Sequence, residues 1–322
     1  MGRGVVVGLG GVFLASAVVR RRWADVAALA PLATRLRESA WLSPLPSAEV
    51  VQAAIIALGG LPGRLVGQPG ALAAARAWGR ALGVSVGEGE GPLVALLGTN
   101  AVEATIDEAV AAGKRVGVAC GAEGGEAVEP PPGGVWIEDP WAGEGTRGVL
   151  GAGVLVAAGL SGVDVRAALV GAEAMREACQ APITENPAWS LARALRGLAQ
   201  ESRIDVIAHV AGEPALAAFA AWAARAQATM LAAPSPAHPA RPLPIHLLEG
   251  DQEWMHAVGQ GRDRVLLVWE TGTGPLPRAT HDGGLIRLRV QLPGLDAEAL
   301  GGAFFLWLRA LEFLAALEDR GR

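Results

Sequence analysis

The chain has 322 residues, of which 51% are hydrophobic and 18% are charged, so it is long enough for two domains and too apolar for an intrinsically disordered protein. Its net charge of -5 comes from 27 basic and 32 acidic residues spread along the sequence, and no basic patch indicates binding to nucleic acid or to a membrane surface. The two cysteines, Cys120 and Cys179, form no metal-binding pattern with each other or with histidine. We therefore expect no metal site and a reducing, cytoplasmic setting.

An apolar, glycine-punctuated segment at residues 5–19 is followed directly by three arginines. The segment is shorter than the ~18 residues of a membrane helix, and Arg3 alone would form the basic region of a signal peptide. It also lacks the third glycine of a dinucleotide-binding loop, because Phe13 stands at that position. We interpret the segment as a buried strand or helix and predict a mainly helical N-terminal extension over residues 1–60.

Two strand–loop–helix patterns follow the extension. In the first, an apolar strand leads into the turn Gly67-Gln68-Pro69-Gly70 and a helix. In the second, a strand at residues 93–97 meets the loop Gly98-Thr99-Asn100, then a helix and another strand after Gly113. This order is the βαβ unit of a parallel sheet. Both loops should therefore face one crevice at the carboxyl edge of the sheet, where open α/β folds bind ligands.

The composition of these two loops favours a phosphate site. Backbone N–H groups and the helix dipole at the start of a helix attract an anion, and Thr99, Asn100 and Thr105 add side-chain donors. Gly67 and Gly70 would let the neighbouring loop approach the same anion. Threonine and asparagine are also good N-caps, so an ordinary helix cap explains the same residues without a ligand.

The second half repeats the alternation of helices and strands. Helical segments without strand periodicity begin near residue 149, and we place a domain junction there, which gives domains at residues 61–148 and 149–322. Asn186 and Pro187 open a further helix as cap and first-turn residue. Strands are predicted at residues 135–137, 204–210, 245–248, 265–269 and 285–292, the last as an edge strand because Arg287 and Arg289 alternate with apolar residues. The predicted class is α/β, with two αβα sandwiches and mainly parallel sheets.

With these elements in order, residues 60–322 resemble the sugar isomerase (SIS) proteins, and most nearly the bifunctional phosphoglucose/phosphomannose isomerases. The segment at residues 97–106 is similar to the hydroxyl-rich phosphate loop of that family. Gly145-Thr146-Arg147 resembles its arginine segment, and Asn186-Pro187-Ala188 resembles the tripeptide that opens one of its helices. The resemblance implies two SIS domains, a homodimer with a site completed across the interface, and aldose–ketose isomerisation of a hexose 6-phosphate without metal or organic cofactor.

The chain departs from the family at the groups that move protons. The family has a glutamate base shortly after a tryptophan, but here Trp222 is followed by Ala228 or Thr229 at the position of that glutamate. The family also uses a lysine on its final helix, and Lys114 is the only lysine of this chain. In the phosphate loop, apolar side chains replace two of the hydroxyls. These departures predict weak or lost catalysis.

Isomerisation through an enediol needs a carboxylate base, a proton donor and a positive charge. The resemblance implies that Arg147 supplies the charge. Glu253 and His256 lie one helical turn apart and are candidates for a substitute base and acid, although a solvated acid and a structural histidine explain them equally. By the same reasoning, His209 is either a second candidate for ligand contact or a structural histidine of the core. The spacing of tryptophans such as Trp269 and Trp307 favours core positions over a sugar-stacking surface.

Two functions are therefore open from the sequence. In the first, the chain is a phosphosugar-binding SIS protein whose aldose–ketose isomerase activity is weak or lost. In the second, it is a non-catalytic protein that binds a phosphosugar, or only keeps the fold, for a regulatory or structural purpose. Where the chain binds a ligand, both interpretations expect a small phosphosugar.

Overall fold

The computed structural model describes residues 7–9, 12–15, 45–96, 101–120, 131, 133–141, 145–182, 185–201, 206–231, 243–247, 264–272 and 286–319. Within these ranges the α-helices are α1 (Ala48–Leu58), α2 (Pro69–Leu82), α3 (Ala101–Ala111), α4 (Ala152–Leu160), α5 (Val165–Ala178), α6 (Pro187–Glu201), α7 (Ala217–Leu231) and α8 (Ala297–Asp319). The β-strands are β1 (Val7–Leu9), β2 (Val12–Ala15), β3 (Arg64–Val66), β4 (Leu93–Leu96), β5 (Val116–Cys120), β6 (Val135–Glu138), β7 (Val206–Ala211), β8 (Leu243–Leu247), β9 (Arg264–Thr271) and β10 (Ile286–Leu292). A 3-10 helix, Gly145–Leu150, precedes α4.

The chain forms two compact units. We call Leu42–Val170 with Asp296–Gly301 the first unit, and Met1–Trp41, Gly171–Leu295 and Gly302–Arg322 the second unit. The units divide within α5, after Val170, and the domain boundary after residue 148 stays a prediction.

The sheet of the first unit has four parallel strands in the order β3-β4-β5-β6. Alternate residues of each strand face opposite sides. Val116 and Val118 pack against α3 on one face, whereas Gly117, between them, faces α1 on the other, where an added Cβ would lie 2.9 Å from Leu58 Cδ1. Helix α4 packs beside α1 and along all four strands. This unit is therefore an αβα sandwich, and the predicted α/β class is confirmed.

Local signals in the sequence set the ends of the first two helices. Ser47 caps α1 by accepting a hydrogen bond from Val50 N at 3.2 Å, and Gly59, with φ 96°, follows the last residue of α1. Helix α2 begins with Pro69, and Gly83, with φ 71°, follows its last residue. Proline at the first helical position and glycine in the left-handed conformation just past the end are the expected start and stop signals.

The sheet of the second unit has the order β1-β2-β10-β9-β7-β8. Strands β7 to β10 are parallel, whereas β1 and β2 add an antiparallel hairpin-like pair next to β10. The N-terminal extension is therefore partly β-structure, and its prediction as mainly helical is wrong for these seven residues. Of the two interpretations of residues 5–19, strand or helix, the structure supports a strand at residues 7–9 and 12–15.

The prediction of residues 285–292 as an edge strand is also wrong. Strand β10 lies between β9 and β2. Arg289 indicates a polar face and not a sheet edge, since it forms an ion pair with Glu270 on β9 at 3.7 Å and both of these side chains stay partly exposed.

Aromatic side chains fill the core of the second unit. Trp222, Trp269 and Trp307 are fully buried, which confirms their prediction as core residues. Phe219 and Trp307 both make T-shaped contacts with the Trp269 ring, with centroids 4.9 Å and 5.3 Å apart. Trp307 Nε1 also donates to Ala223 O at 2.9 Å. The polar atom of this large side chain is thereby satisfied inside an apolar core.

Helix α8 is the longest apolar helix that the structure describes. Residues Ala297–Leu317 are long and apolar enough to cross a membrane, with a mean hydropathy of 1.6, but 89% of this window is buried inside the protein. Its apolar run at residues 304–308 is covered by the chain itself. Such burial is that of a core helix in a globular protein.

Candidate functional site

A cleft opens at the carboxyl edge of the sheet in the first unit. Strands β3, β4 and β6 end there, and carboxyl ends of parallel strands are where α/β folds bind ligands. The cleft has a volume of about 10 Å³, which is room for about one water molecule. Its lining residues are Gln68, Ala71, Leu96, Asp139, Trp141, Gly145, Gly148 and Val154.

The predicted loop at residues 67–70 forms one wall of this cleft. Gly67 follows β3 and passes so close to β4 that an added Cβ would lie 2.9 Å from Leu96 Cβ, which makes glycine necessary. Gln68 is the N-cap residue of α2, but its side chain makes no capping hydrogen bond and lines the cleft instead. Pro69 and Gly70 are the first residues of α2.

The predicted Arg147 segment forms part of the opposite wall. Arg147 is half-buried on the 3-10 helix Gly145–Leu150, which is fixed by a buried hydrogen bond from Trp78 Nε1 to Val149 O at 3.0 Å. Gly145 has φ 59°, and an added Cβ would lie 3.2 Å from Gln68 Oε1. The structure therefore brings the two predicted segments to one cleft through their neighbours Gln68 and Gly145.

The remaining predicted site residues are not all described. Thr105 lies half-buried on α3, four residues after its first residue. Thr99, Asn100, Glu253 and His256 lie outside the described residues, so their assigned roles stay predictions. Strand β4 ends at Leu96 and α3 begins at Ala101, so the predicted phosphate loop starts from the same carboxyl edge as the cleft.

Asp139 is a buried carboxylate of the cleft that the sequence reasoning missed. It follows β6, is 2% exposed, and accepts hydrogen bonds from Trp141 N at 3.0 Å and Gly153 N at 2.8 Å. Burial raises the pKa of this carboxyl, although bonds from the backbone N–H groups of Gly153, Trp141 and Ala152 oppose the rise. Because Ala152 and Gly153 open α4, Asp139 occupies the positive end of that helix. The signal in the sequence was an aspartate two residues after the predicted strand at residues 135–137, upstream of a glycine-rich helix start.

Trp141 adds an unusual feature to the same wall. Its side chain is 5% exposed, and its Nε1–H has no hydrogen-bond partner among the described residues. Leaving a buried donor without an acceptor typically costs about 1–3 kcal/mol. Buried donors of this kind are normally satisfied by protein, water or ligand atoms.

His209, the second ligand candidate, is a core residue. It is fully buried on β7, and its Nε2 lies 2.9 Å from Gln227 Oε1. Trp269 Nε1 donates to its Nδ1 at 3.3 Å, so the hydrogen-bond network assigns the proton to Nε2. Trp307 packs edge-on against the ring. The structural interpretation of His209 is confirmed.

No protein-family model and no curated protein matches the chain, but solved structures do. A glucose-6-phosphate isomerase from Chlamydia trachomatis superposes with a TM-score of 0.68 at 11% identity, over 96% of this chain and 84% of that one. A hypothetical protein from Thermus thermophilus gives 0.63 at 14% identity, over 91% of both chains. The C-terminal domain of glucosamine-fructose-6-phosphate aminotransferase from Francisella tularensis gives 0.51 at 11% identity, over 91% of this chain and 95% of that one.

The chain has the SIS fold. Sequence identities this low establish the fold alone, and the function has to be argued from the residues of this chain.

Within the SIS fold, α7 offers no acid for proton abstraction. Its sequence contains neither aspartate nor glutamate. Ala228 and Thr229 are both exposed, and Thr229 Oγ1 donates to Arg225 O at 2.9 Å within the helix. The neighbouring Gln227 is buried against His209. The position that the resemblance assigns to the base is therefore a solvent-facing helix surface.

The buried positive charge of the final helix is an arginine. Arg309 on α8 is 6% exposed and contacts Glu312 at 2.7 Å, and its guanidinium lies 4.8 Å from the Phe313 ring centroid. A guanidinium keeps its proton at all ordinary pH values and cannot act as a general acid or base. Lys114, by contrast, is exposed between α3 and β5.

Proposed function

We propose that this chain binds a phosphosugar at the carboxyl edge of the parallel sheet in the first unit. The observation that carries the proposal is the meeting of two segments at this edge: in an SIS fold, Gln68 and Gly145 join the glycine loop and the arginine segment. Anion-binding groups are expected on both of these segments from the sequence.

The phosphate is proposed to bind at the start of α3, with Thr99, Asn100 and Thr105 as donors. Gly67 and Gly70 shape the neighbouring loop, and Arg147 supplies positive charge. The start of α4 also lies at this edge, but Asp139 already occupies it. An anion is repelled by that carboxylate and attracted by the dipole of α3.

Catalysis by this site is proposed to be weak or absent. Removing a general base alone lowers a rate by about 10²–10⁴. Here α7 has no acid, and the buried cation of α8 is an arginine paired with Glu312. Glu253 and His256 remain the candidate substitute base and acid. The alternative function is a non-catalytic phosphosugar-binding protein with a regulatory or structural purpose.

Titration calorimetry of Arg147→Gln tests the binding site. We expect glucose 6-phosphate or fructose 6-phosphate to bind the wild type, and the variant to bind at least about tenfold more weakly, because hydrogen bonds to charged groups contribute about 1.5–3 kcal/mol. Arg80→Gln is the matched control, since Arg80 is exposed in the last turn of α2. The absence of wild-type binding, or equal losses in both variants, would contradict the proposal.

A coupled assay that converts fructose 6-phosphate to glucose 6-phosphate separates the two functions. Slow turnover that Glu253→Gln abolishes supports the substitute base. Binding without turnover supports the non-catalytic alternative, and fast turnover that survives Glu253→Gln contradicts both.

The protein is further proposed to be a cytoplasmic homodimer. The proposal comes from the SIS resemblance, and the apolar residues of α8 give it no support because the chain itself covers them. Light scattering after gel filtration tests it: a mass of about twice the 32.9 kDa of one chain is expected.

A further inference from the structure

Helix α1 has a strip of apolar side chains on the side that faces solvent. Val50, Ala53, Ile56 and Ala57 are exposed and lie three or four residues apart, so they form one continuous strip, which we call the α1 face. Ile56 is 68% exposed and Val50 is 48% exposed. The opposite side of α1 is buried in the first unit through Val51, Ala54, Ile55 and Leu58. The exposed strip is therefore not part of the core of that unit.

The composition of α1 indicates what kind of surface the α1 face contacts. A surface helix normally carries charged side chains on its solvent side, but Glu49 is the only charged residue among the eleven of α1. A helix that lies on a membrane carries lysine and arginine beside its apolar face, and α1 has neither. A contiguous exposed apolar strip without basic residues favours contact with another protein surface.

Opposite charges lie at the two ends of the α1 face. Glu49 is exposed in the first turn of the helix. At the other end the exposed Arg115, which precedes β5, donates from its Nη1 to Ala57 O at 3.0 Å. The same nitrogen would lie 2.9 Å from a Cβ added to Gly59. The α1 face is therefore negative at the start of the helix and positive at its end.

This arrangement is complementary to a second copy of itself. Two α1 helices that pack antiparallel about a two-fold axis bring Glu49 of each copy next to Arg115 of the partner subunit, so the same contact forms twice. The small side chain of Ala53, midway along α1, lets the two helices approach towards the short end of the usual interaxial range of about 8–10 Å. The antiparallel order also places the positive end of each helix dipole beside the negative end of the other.

We infer that the α1 face is the surface through which two copies of this chain form a homodimer, with the two α1 helices antiparallel. The inference rests on the homodimer proposed above and names its interface. Burial of the apolar strip supplies most of the affinity, because exposed ion pairs contribute little. The pairs of Glu49 with Arg115 set the antiparallel orientation.

Ile56→Asp tests the apolar strip. The variant places a carboxylate from each copy in the interface, so we expect the Kd of the dimer to rise at least about a hundredfold. Val110→Asp is the matched control, because Val110 is 38% exposed on α3, on the other face of the sheet. Sedimentation equilibrium over a range of protein concentrations measures both variants, and circular dichroism checks that they are folded. A folded Ile56→Asp variant that dimerises as tightly as the wild type would overturn the inference.

A charge exchange tests the pairing of Glu49 with Arg115. Glu49→Arg and Arg115→Glu each place like charges at both contacts, so each variant alone should dimerise at least about tenfold more weakly than the wild type. In an equimolar mixture the two variants regain opposite charges at both contacts, and we expect the heterodimer to recover most of the wild-type affinity. Mixing does not repair a structural defect such as the lost hydrogen bond to Ala57 O. A mixture as weakly dimeric as the single variants would therefore overturn the antiparallel pairing.

The proposals fail in different ways. If the wild type is a monomer at all concentrations, the homodimer and the α1 interface are both wrong. If it is a dimer that neither Ile56→Asp nor the single charge variants weaken, the homodimer stands and the α1 interface is wrong. Phosphosugar binding is measured separately by calorimetry, and its failure leaves the α1 interface unaffected.

Discussion

The groups that stabilise the Asp139 carboxylate are backbone N–H groups at the start of α4 and at Trp141. Glycine at positions 151 and 153 makes this contact possible, because an added Cβ on Gly151 would lie 2.8 Å from both carboxylate oxygens. A single side chain therefore fixes the helix start and places a negative charge in the cleft. Its position after β6 follows from the sheet, whereas the identity of its donors could not be read from the sequence.

Asp139→Ala should destabilise the first unit by about 1–3 kcal/mol at neutral pH, because the N–H groups of Trp141 and Gly153 lose their acceptor. Burial raises the pKa of Asp139 above 3.8, so the folded state binds the proton more tightly than the unfolded state. The contribution of Asp139 to the free energy of unfolding is therefore greatest below pH 3.8, and it falls as the pH rises through the pKa of Asp139 in the folded state.

Urea denaturation at several pH values measures this effect. The difference in free energy of unfolding between wild type and Asp139→Ala should widen as the pH falls from neutral towards 3.8, the ordinary pKa of an aspartate. Asp107→Ala, an exposed carboxylate on α3, is the control for general acid effects. A difference that narrows on acidification would refute the assigned cause of the pKa shift.

At the scale of elements, the close approach of α4 to the sheet depends on Gly153. An added Cβ there would lie 2.3 Å from Leu96 Cδ2 and 2.8 Å from Ala119 Cβ. The sequence showed a glycine-rich helix but not which glycine faces a strand, since that depends on the rotation of α4 over β4 and β5.

Gly153→Ala should therefore destabilise the protein. Alanine gains about 1 kcal/mol of helix propensity over glycine, but overpacking against two buried side chains costs about 1–3 kcal/mol and shifts the backbone. Ala104→Gly, on the exposed side of α3, measures the propensity alone. Thermal unfolding checks the balance, and a rise in Tm for Gly153→Ala would show that α4 is not tightly packed on β4.

The two wrong predictions about elements share one physical cause. Sequence periodicity reports which face of a strand meets water and carries no information about its neighbours. Arg289 marked a polar face of β10, and the pairing of β10 with both β9 and β2 came from tertiary contacts. Similarly, the short strands β1 and β2 had no clear alternation of their own.

At the scale of the whole molecule, the order of strands and helices from residue 64 onward was predictable because each strand–loop–helix unit carries its own signals. The position of the cleft was predictable, since the segments of Gly67 and Arg147 both lie beside it. The polar groups that line the cleft were not predictable. Asp139 and Trp141 lie outside both motifs in the sequence, and β6 and the 3-10 helix bring them to the cleft. The spacing of the tryptophans already favoured a core role for Trp269, whereas the core role of His209 followed from its burial, which the sequence left open.

The proposed ligand should stabilise the folded chain by mass action. A ligand at a hundred times its Kd adds about 2.7 kcal/mol to the free energy of unfolding. Each added kcal/mol raises Tm by about 4–8 °C at most, the value for a small cooperative unit, so we expect a rise of several degrees. Differential scanning calorimetry with and without saturating glucose 6-phosphate measures this rise. Arg147→Gln should show a smaller ligand-induced rise than the wild type, measured from the Tm of the variant without ligand, because the variant weakens binding.

His209→Ala should lower the stability of the protein without weakening ligand binding, whereas Arg147→Gln should weaken ligand binding. It removes a buried ring from the core of the second unit and should cost about 2–5 kcal/mol. Because His209 touches Gln227 and two tryptophans and not the cleft, the variant should melt earlier yet show the same ligand-induced rise at saturating glucose 6-phosphate. The same calorimetric scans measure both quantities. A ligand-induced rise that is lost in His209→Ala but kept in Arg147→Gln would move the binding site out of the first unit.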